Sequence, residues 1–265
     1  MKSKPLISII TVVYNGEKFL EKTIKSVLTQ TYKYIEYIVI DGGSSDGTIE
    51  IIKRYEDKIS YWVSEEDKGI YDAMNKGAQI ATGDFIHFLN ADDIICKSNG
   101  IESIVGNMID MDTVYFSRVS IISDRVFWIY PNKEVKDFNK WLKLNLPNHQ
   151  TMFFPKSFYK KHVYDLRLSI GADDDYKLFA LKNHDVKFID LIFVEFKRGG
   201  VSSNHRSFKL FMQRLKESFI RNFKHRRYVR FILDPFKLVV MFLINSLFGA
   251  DNFLRFIKLV VKLKG

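Results

Sequence analysis

The chain has 265 residues, 46% of them apolar and 27% charged, and a formal net charge of +10. This length and composition suit a globular chain with a proper core and exclude a disordered or fibrous one. Its single cysteine, Cys96, excludes an internal disulfide framework and a zinc site built from several thiolates.

The opening stretch, MKSKPLISIITVVYNG, has a short strand-like apolar run without a small-residue cleavage site. It does not read as a signal peptide, and a cytoplasmic location is expected. Leu6–Tyr14 is apolar and β-branched, the pattern of a buried strand, and Asn15-Gly16 breaks it. Glu17–Gln30 places Phe19, Leu20, Ile24, Val27 and Leu28 on one helical face. Ile35–Ile40 is a second strand ending at Asp41, and the turn from Gly42 to Gly47 leads into a short helix, Thr48–Tyr55. A third strand, Ile59–Val63, follows. Ile70, Ala73, Met74, Gly77, Ala78 and Ala81 then mark an amphipathic helix over 70–81. Phe85–Leu89 is a fourth strand and runs into Asn90-Ala91-Asp92-Asp93.

Strands that alternate with helices predict an α/β domain with a Rossmann-like, mostly parallel sheet. Ligands of such sheets bind beyond the carboxyl ends of the strands. Those ends carry Tyr14-Asn15, Asp41, Glu65-Glu66-Asp67 and Asn90-Ala91-Asp92-Asp93, an acidic rim suited to a divalent cation that in turn holds an anion. A Gly-x-Gly-x-x-Gly turn after the first strand is missing, which argues against a dehydrogenase.

After residue 110 the pattern changes. Thr113–Ile122 and Arg125–Tyr130 predict a hairpin, and Thr151–Phe154 a short strand after Asn148-His149-Gln150. Ile170 to Asp175 caps a helix reaching about Leu181; Val186–Phe196 is a strand, and Gly199–Ser203 a loop with a hinge at Gly199-Gly200. Residues 201–265 hold 14 Lys and Arg against 3 Asp and Glu, whereas the preceding 200 residues are nearly neutral. Large apolar residues recur there at helical spacing: Phe208, Phe211, Met212, Leu215 and Phe219, then Phe253, Phe256, Ile257, Val260 and Val261. The charge-free run Leu238–Ala250 is too short for a helix that needs ~20 residues to span a bilayer. The segment 205–265 is therefore expected to be a basic amphipathic helical tail lying on an anionic membrane surface, behind a catalytic domain of residues 1–204. The alternative is that these helices pack on the domain or on a second copy. No nucleic-acid-binding motif is visible.

The segments ISIITVVYNGEKFLEKTIKSVLTQTY, YIVIDGGSSDGT and DKGIYDAMNKGAQIATGDFIHFLNADD, in order and well spaced over residues 5–93, resemble glycosyltransferase family 2. The likeness continues more loosely through His149-Gln150, the Asp173 cluster and Gly199–Ser203. It implies the glycosyltransferase A fold, with residues 1–93 binding a nucleotide sugar and 94–204 the acceptor. It also implies inverting transfer from a nucleotide-diphospho-sugar, a UDP-sugar foremost, to a lipid-linked saccharide in capsule, O-antigen or exopolysaccharide synthesis. The alternative is a catalytically inactive nucleotide-sugar-binding scaffold at the membrane.

The resemblance assigns roles residue by residue. Asp41 would accept from the nucleotide base in a pocket lined by Thr11, Val13 and Tyr14. Asn90-Ala91-Asp92-Asp93 stands at the Asp-x-Asp motif, with Asp92 as ligand to Mn²⁺ or Mg²⁺ and Asn90, a departure from the commoner Asp, bonding ribose. Asp93 would act here only as a helix cap. Lys76, or Lys68, would meet the donor's phosphates. Asp173 would be the base that deprotonates the acceptor, with Asp174 the other choice of register. His149 would contact acceptor or phosphate, and His205 would reach the metal when its loop closes. Three adjacent carboxylates, Asp173 to Asp175, are expected to raise at least one pKa by mutual repulsion, or, as an acidic helix N-terminus, to have their pKa values lowered by the helix dipole; the two can coexist.

Overall fold

In the computed structural model, β1 (Ile7–Val13) is buried along its whole length. Alternate residues of a strand face opposite ways, so such a run needs cover on both sides. Ile7, Ile9 and Val13 pack under α1 (Leu20–Leu28) and α2 (Thr48–Lys53). Ile10 and Val12 face α3 (Ile70–Ile80), whose Ala73, Met74 and Ala78 close the other side. Gly77 is where α3 comes nearest the sheet; a Cβ there would strike Ile10. The structure describes residues 4–123, 126–132, 135–197, 207–228, 230–243 and 246.

β2 (Ile35–Asp41) runs parallel to β1 in the register Ile7↔Ile35 to Val13↔Asp41. β3 (Tyr61–Ser64) lies outside β2, and β4 (Phe85–Phe88) pairs parallel with β1 on its other side. The expected parallel half is therefore present, with its carboxyl ends along one edge. The remaining strands are β5 (Ile94–Ile95), β6 (Val114–Ser123), β7 (Val126–Tyr130), β8 (Met152–Pro155) and β9 (Val186–Lys197). The sheet order is β3-β2-β1-β4-β8-β6-β9-β5, with β7 added to β6 as the expected hairpin. β8 joins the halves by pairing antiparallel with both β4 and β6.

Residue 93 does not cap a helix. The two-residue strand β5 follows it, and the next helix, α4, begins only at Gly100 and ends at Gly106. Two short helices, α5 (Phe138–Leu144) and α6 (Lys156–Tyr159), flank β8. The acidic segment opens α7 (Ala172–Asn183).

The basic tail begins with α8 (Phe208–Lys224), and residues 230–243 are helical again. Phe211 stacks on Phe242, and Phe219 meets Phe231 edge-on, so the two stretches form a hairpin. α8, which follows the expected boundary at residue 204, contacts the half that precedes it. Glu217, Ser218 and Asn222 of α8 are buried, and Glu217 accepts from the backbone N–H groups of Ser169, Ile170 and Gly171 at 2.9, 3.1 and 2.8 Å. α8 thus turns its polar face inward onto the segment leading into α7, and Phe208, Met212, Phe219 and Phe223 outward. The second predicted stripe, Phe253 to Val261, lies outside the described residues.

Candidate active site

The four parallel strands end in loops that bind one another. The Gly42 N–H donates to the Val13 carbonyl at 2.9 Å, and the Glu65 N–H to that of Asp41 at 3.0 Å. Asn15, at φ +50°, receives the Ser45 N–H on its side-chain oxygen and gives its own N–H to the Ser44 hydroxyl. Asparagine tolerates this left-handed backbone better than most residues.

The residues expected to hold the nucleotide base fall into two groups. Thr11 is fully buried and accepts from the Tyr37 hydroxyl at 3.1 Å, and Val13 is packed beneath Gly16. Neither lines an open pocket, because inward positions of a doubly covered strand belong to the core. Asp41 is also fully buried. Its carboxylate accepts four hydrogen bonds, from the Gly43 and Ser44 N–H groups and the Ser44 and Ser64 hydroxyls. Three of these end on one oxygen, which organises the turn, and the other oxygen accepts only from the Ser44 hydroxyl. Tyr14 is the member of the set that is exposed, at 66%.

At the end of β4, the Thr23 hydroxyl of α1 meets the carbonyls of Ala91 and Asp93 at 2.8 and 2.7 Å and fixes the corner. The Asn90 side-chain oxygen is buried without a hydrogen-bond partner among the described residues. Burial raises the pKa of Asp92, and the charge of Lys197 partly offsets it. Asp93 is fully buried; one oxygen accepts from the Lys197 N–H at 3.3 Å and the other has no partner among the described residues. Burial, then the neighbouring Asp92 charge, pushes its pKa well above the carboxylate range.

α3 connects this corner to the second half. Lys76 lies 2.8 Å from the Glu65 carboxylate and donates to the Glu66 carbonyl, which ties it to the acidic rim. The Glu65 hydrogen bond raises its pKa, with a smaller opposing effect of burial. The backbone N–H of Lys68 donates to Asp72. At the other end of α3, the Tyr71 hydroxyl lies between the Ile170 carbonyl at 2.8 Å and Asp173 at 3.0 Å, with one proton shared between the two acceptors. Lys177, one turn along α7, approaches the other Asp173 oxygen at 3.1 Å. The Asp173 side chain remains 29% exposed.

The neighbouring carboxylates follow the second expectation in direction, with cations as the largest lowering influence. Burial tends to raise Asp174, but Lys177 at 2.8 Å and Arg221 at 3.4 Å outweigh it and hold its pKa far down. Burial likewise opposes, and hydrogen bonds from His225 and Lys224 overcome it, at Asp175, whose pKa is also lowered. Cations from α7 and α8 neutralise the cluster before repulsion can raise these two groups.

His149 is a core residue. It stacks on Phe88, its Nε2 meets the Tyr164 hydroxyl, and burial first, then the Lys177 charge, drives its pKa well below that of a free histidine. In this arrangement the ring is enclosed, with Tyr164 and Phe88 as its neighbours. His205 and the hinge Gly199-Gly200 lie outside the described residues.

Sequence reasoning gave no role to Tyr71, Lys177, Lys197, Glu217 or Arg221. Only the Asp173–Lys177 spacing of i, i+4 was open to reading in advance. The contacts of Lys197 and Glu217 join residues 104 and about 46 positions apart.

A half-parallel sheet with an Asn-Ala-Asp-Asp corner at its carboxyl edge, and a second half that brings Asp173 against α3, is the glycosyltransferase A architecture. The sequence model for Glycosyl transferase family 2 matches residues 8–166, and the chain belongs to this family. An uncharacterized glycosyltransferase of Mycobacterium tuberculosis is 34% identical over 239 residues, covering 86% of this chain and 87% of its own. A PGL/p-HBAD biosynthesis glycosyltransferase of Mycobacterium bovis is 27% identical over 223 residues, covering 81% of this chain and 85% of its own. Among solved structures, S. aureus TarS in complex with UDP superposes with a TM-score of 0.62 at 19% identity, over 81% of this chain and 65% of that one. The mannosyltransferase PcManGT of Pyrobaculum calidifontis, in complex with GDP-Man and Mn²⁺, does so at 0.63 and 18%, over 85% and 65%. The chain thus spans just under two thirds of either solved chain, and these two likenesses concern the fold.

Proposed function

We propose that this chain is an inverting glycosyltransferase that moves a sugar from a nucleotide-diphospho-sugar, UDP-linked foremost, to a lipid-linked saccharide of the cell envelope. The observation that carries the reading is the setting of Asp173. It is a partly open carboxylate at the start of α7, oriented by the Tyr71 hydroxyl and by Lys177.

In the proposed reaction the acceptor oxygen attacks the anomeric carbon as the bond to the diphosphate breaks. Asp173 takes the acceptor's proton, and a single displacement converts an α-linked donor into a β-linked product. The Tyr71 hydroxyl, whose pKa burial and then the Asp173 charge push far up, stays protonated and keeps the carboxylate aimed.

The donor set at the corner fits a hard divalent ion. Asp92 offers a carboxylate whose charge burial disfavours, and Asn90 an amide oxygen with no partner among the described residues. Among the described residues no three His, Cys, Asp or Glu side chains converge as ligands, so the ion would take most of its shell from phosphate and water, as Mg²⁺ and Mn²⁺ do. Asp92 would hold it, and it would supply charge to the departing diphosphate. Lys197 would add a fixed cation beside the same corner. TarS with UDP and PcManGT with GDP-Man and Mn²⁺ are the similar folds that favour a nucleotide-sugar donor. Donor hydrolysis across a panel of UDP- and GDP-sugars, with Mn²⁺ or Mg²⁺, tests this. Turnover of none of them, with or without metal, contradicts it.

The membrane part of the reading rests on the reversed polarity of α8. Among the described residues no helix is long and apolar enough to cross a membrane. Yet Phe208 and Phe223 are 64% and 72% exposed, beside the similarly exposed Ile232 and Phe236 of residues 230–243. An outward apolar face rimmed by Lys209, Lys216 and Lys237 suits a surface of anionic headgroups at the cytoplasmic side. Wild-type protein should pellet with phosphatidylglycerol vesicles, less at high salt, and Phe208→Ser/Phe223→Ser should not. Equal pelleting of both rules this face out.

A further inference from the structure

A cavity of about 450 Å³ opens between the start of α7, the stretch before β8, and the C-terminal helical hairpin. Lys177, Arg221, Arg227, Arg230 and Lys237 line it, against two carboxylates among the described residues, Asp174 and Asp234. Both carboxylates are already engaged. Asp174 serves Lys177 and Arg221, and Asp234 accepts from Arg230 at 3.2 Å and from the Asn222 amide at 3.1 Å. Positive charge is therefore in excess. The Nε of Arg221 is buried with no hydrogen-bond partner among the described residues. Burial, and the like charges of Arg230 and Arg221, disfavour the charged form of Arg227 despite Asp234 and Asp174.

Guanidinium groups crowded in this way lower their energy by taking a shared anion, and their planar forks match the oxygens of phosphate. The cavity is far larger than a carboxylate requires, and a diphosphate with part of an attached sugar fits such a volume. It also reaches the reaction centre, because Lys177 touches Asp174 at 2.8 Å and Asp173 at 3.1 Å. The same helical hairpin that supplies Arg221, Arg227 and Arg230 turns apolar side chains outward.

We propose that this cavity is an acceptor subsite that binds the phosphate or diphosphate linking the acceptor saccharide to its lipid. This rests on the lipid-linked acceptor of the preceding section. The anchored phosphate sets the distance at which the acceptor hydroxyl meets Asp173, and the lipid leaves past the apolar face of the hairpin. The cavity would thereby read the link that every such acceptor shares, whatever its sugars.

The test is calorimetric titration of the full-length protein with inorganic pyrophosphate in chelator, and separately with UDP and Mn²⁺. The proposal expects pyrophosphate to bind wild type and to bind Arg227→Gln/Lys237→Gln at least tenfold more weakly, with UDP affinity unchanged. Lys237 is exposed and tolerates replacement, so Lys237→Glu should show the same direction if the double variant fails to fold. Undiminished pyrophosphate binding by both variants overturns the proposal, as does its absence in wild type. A headgroup site is the other source of the same chemistry: displacement of pyrophosphate by phosphatidylglycerol vesicles, but not by phosphatidylcholine, assigns the cavity to bulk lipid and overturns the acceptor role. Loss of UDP binding in wild type would instead strike the donor reading and leave the pyrophosphate result standing.

Discussion

Replacing Glu217 by alanine probes the least anticipated feature of the molecule, a carboxylate from the basic tail inside the catalytic half. It accepts three backbone N–H groups, from Ser169, Ile170 and Gly171, and touches the Ser169 hydroxyl and the Gln213 amide. A hydrogen bond to a charged group is worth about 1.5–3 kcal/mol, and a buried donor left without a partner costs about 1–3 kcal/mol. The three bonds share two oxygens and do not add fully, so the expected loss is about 3–5 kcal/mol. For a chain of this size about 1 kcal/mol moves Tm by roughly 2–4 °C. A drop of about 10 °C in a calorimetric scan is expected, and Glu217→Gln, which keeps one acceptor oxygen, should lose roughly half of it. Because these N–H groups precede the turn of α7 that carries Asp173, transfer should fall more than nucleotide affinity. A Tm within about 2 °C of wild type for the alanine variant would refute the buried role of this side chain.

Asp92→Asn should remove metal-dependent turnover and leave Tm nearly unchanged, as expected of a corner residue outside the core; near-normal activity with Mn²⁺ would sink the metal assignment. Asp174→Asn, by contrast, should chiefly cost stability, since it leaves Lys177 and Arg221 short of a partner; if it abolishes turnover while Asp173→Asn does not, the base is one residue further on. His87, stacked on Phe153 with its pKa pushed by burial from 6.5 to about 4, folds neutral. The unfolded chain then binds the extra proton, so about 3 kcal/mol of stability present above pH 6.5 should be lost as pH falls towards 4. His87→Leu should flatten that part of the Tm-versus-pH curve, and an unchanged slope would refute the source.

The parallel half was legible because its period is local. The β-branched run from Ile7 to Val13 and the spacing of Ala73, Met74, Gly77 and Ala78 each specify an element and its covered face. The Asn90 to Asp93 corner was legible in position, since strand ends point to the site, but not in detail. Nothing local separates Asp92, half-open at the corner, from Asp93, which Thr23 and Lys197 enclose from distant parts of the chain. The burial of Thr11, Asp41 and His149 was hidden for the same reason: polar residues at a rim and polar residues satisfied in a core look alike until their partners are known. The tail was legible in its amphipathic pattern but not in what its polar face meets. A helix with an apolar stripe is ordinarily taken to turn that stripe inward. On α8, Glu217 instead accepts the N–H groups that precede α7 while Arg221 and Lys224 pair with Asp174 and Asp175 at its acidic start, and that complementarity spans about fifty residues.

In the proposed reaction Asp173 removes the acceptor's proton. That role is tested most directly by pairing two measurements on Asp173→Asn: turnover with the sugar donor that the hydrolysis panel identifies and lipid-linked acceptors extracted from membranes, and nucleotide affinity by calorimetry. A general base contributes about 10²–10⁴-fold, so turnover should fall by at least a hundredfold while the affinity for the nucleotide with Mn²⁺ stays within about twofold of wild type. Turnover within a few-fold of wild type in a variant that still binds nucleotide would contradict the account.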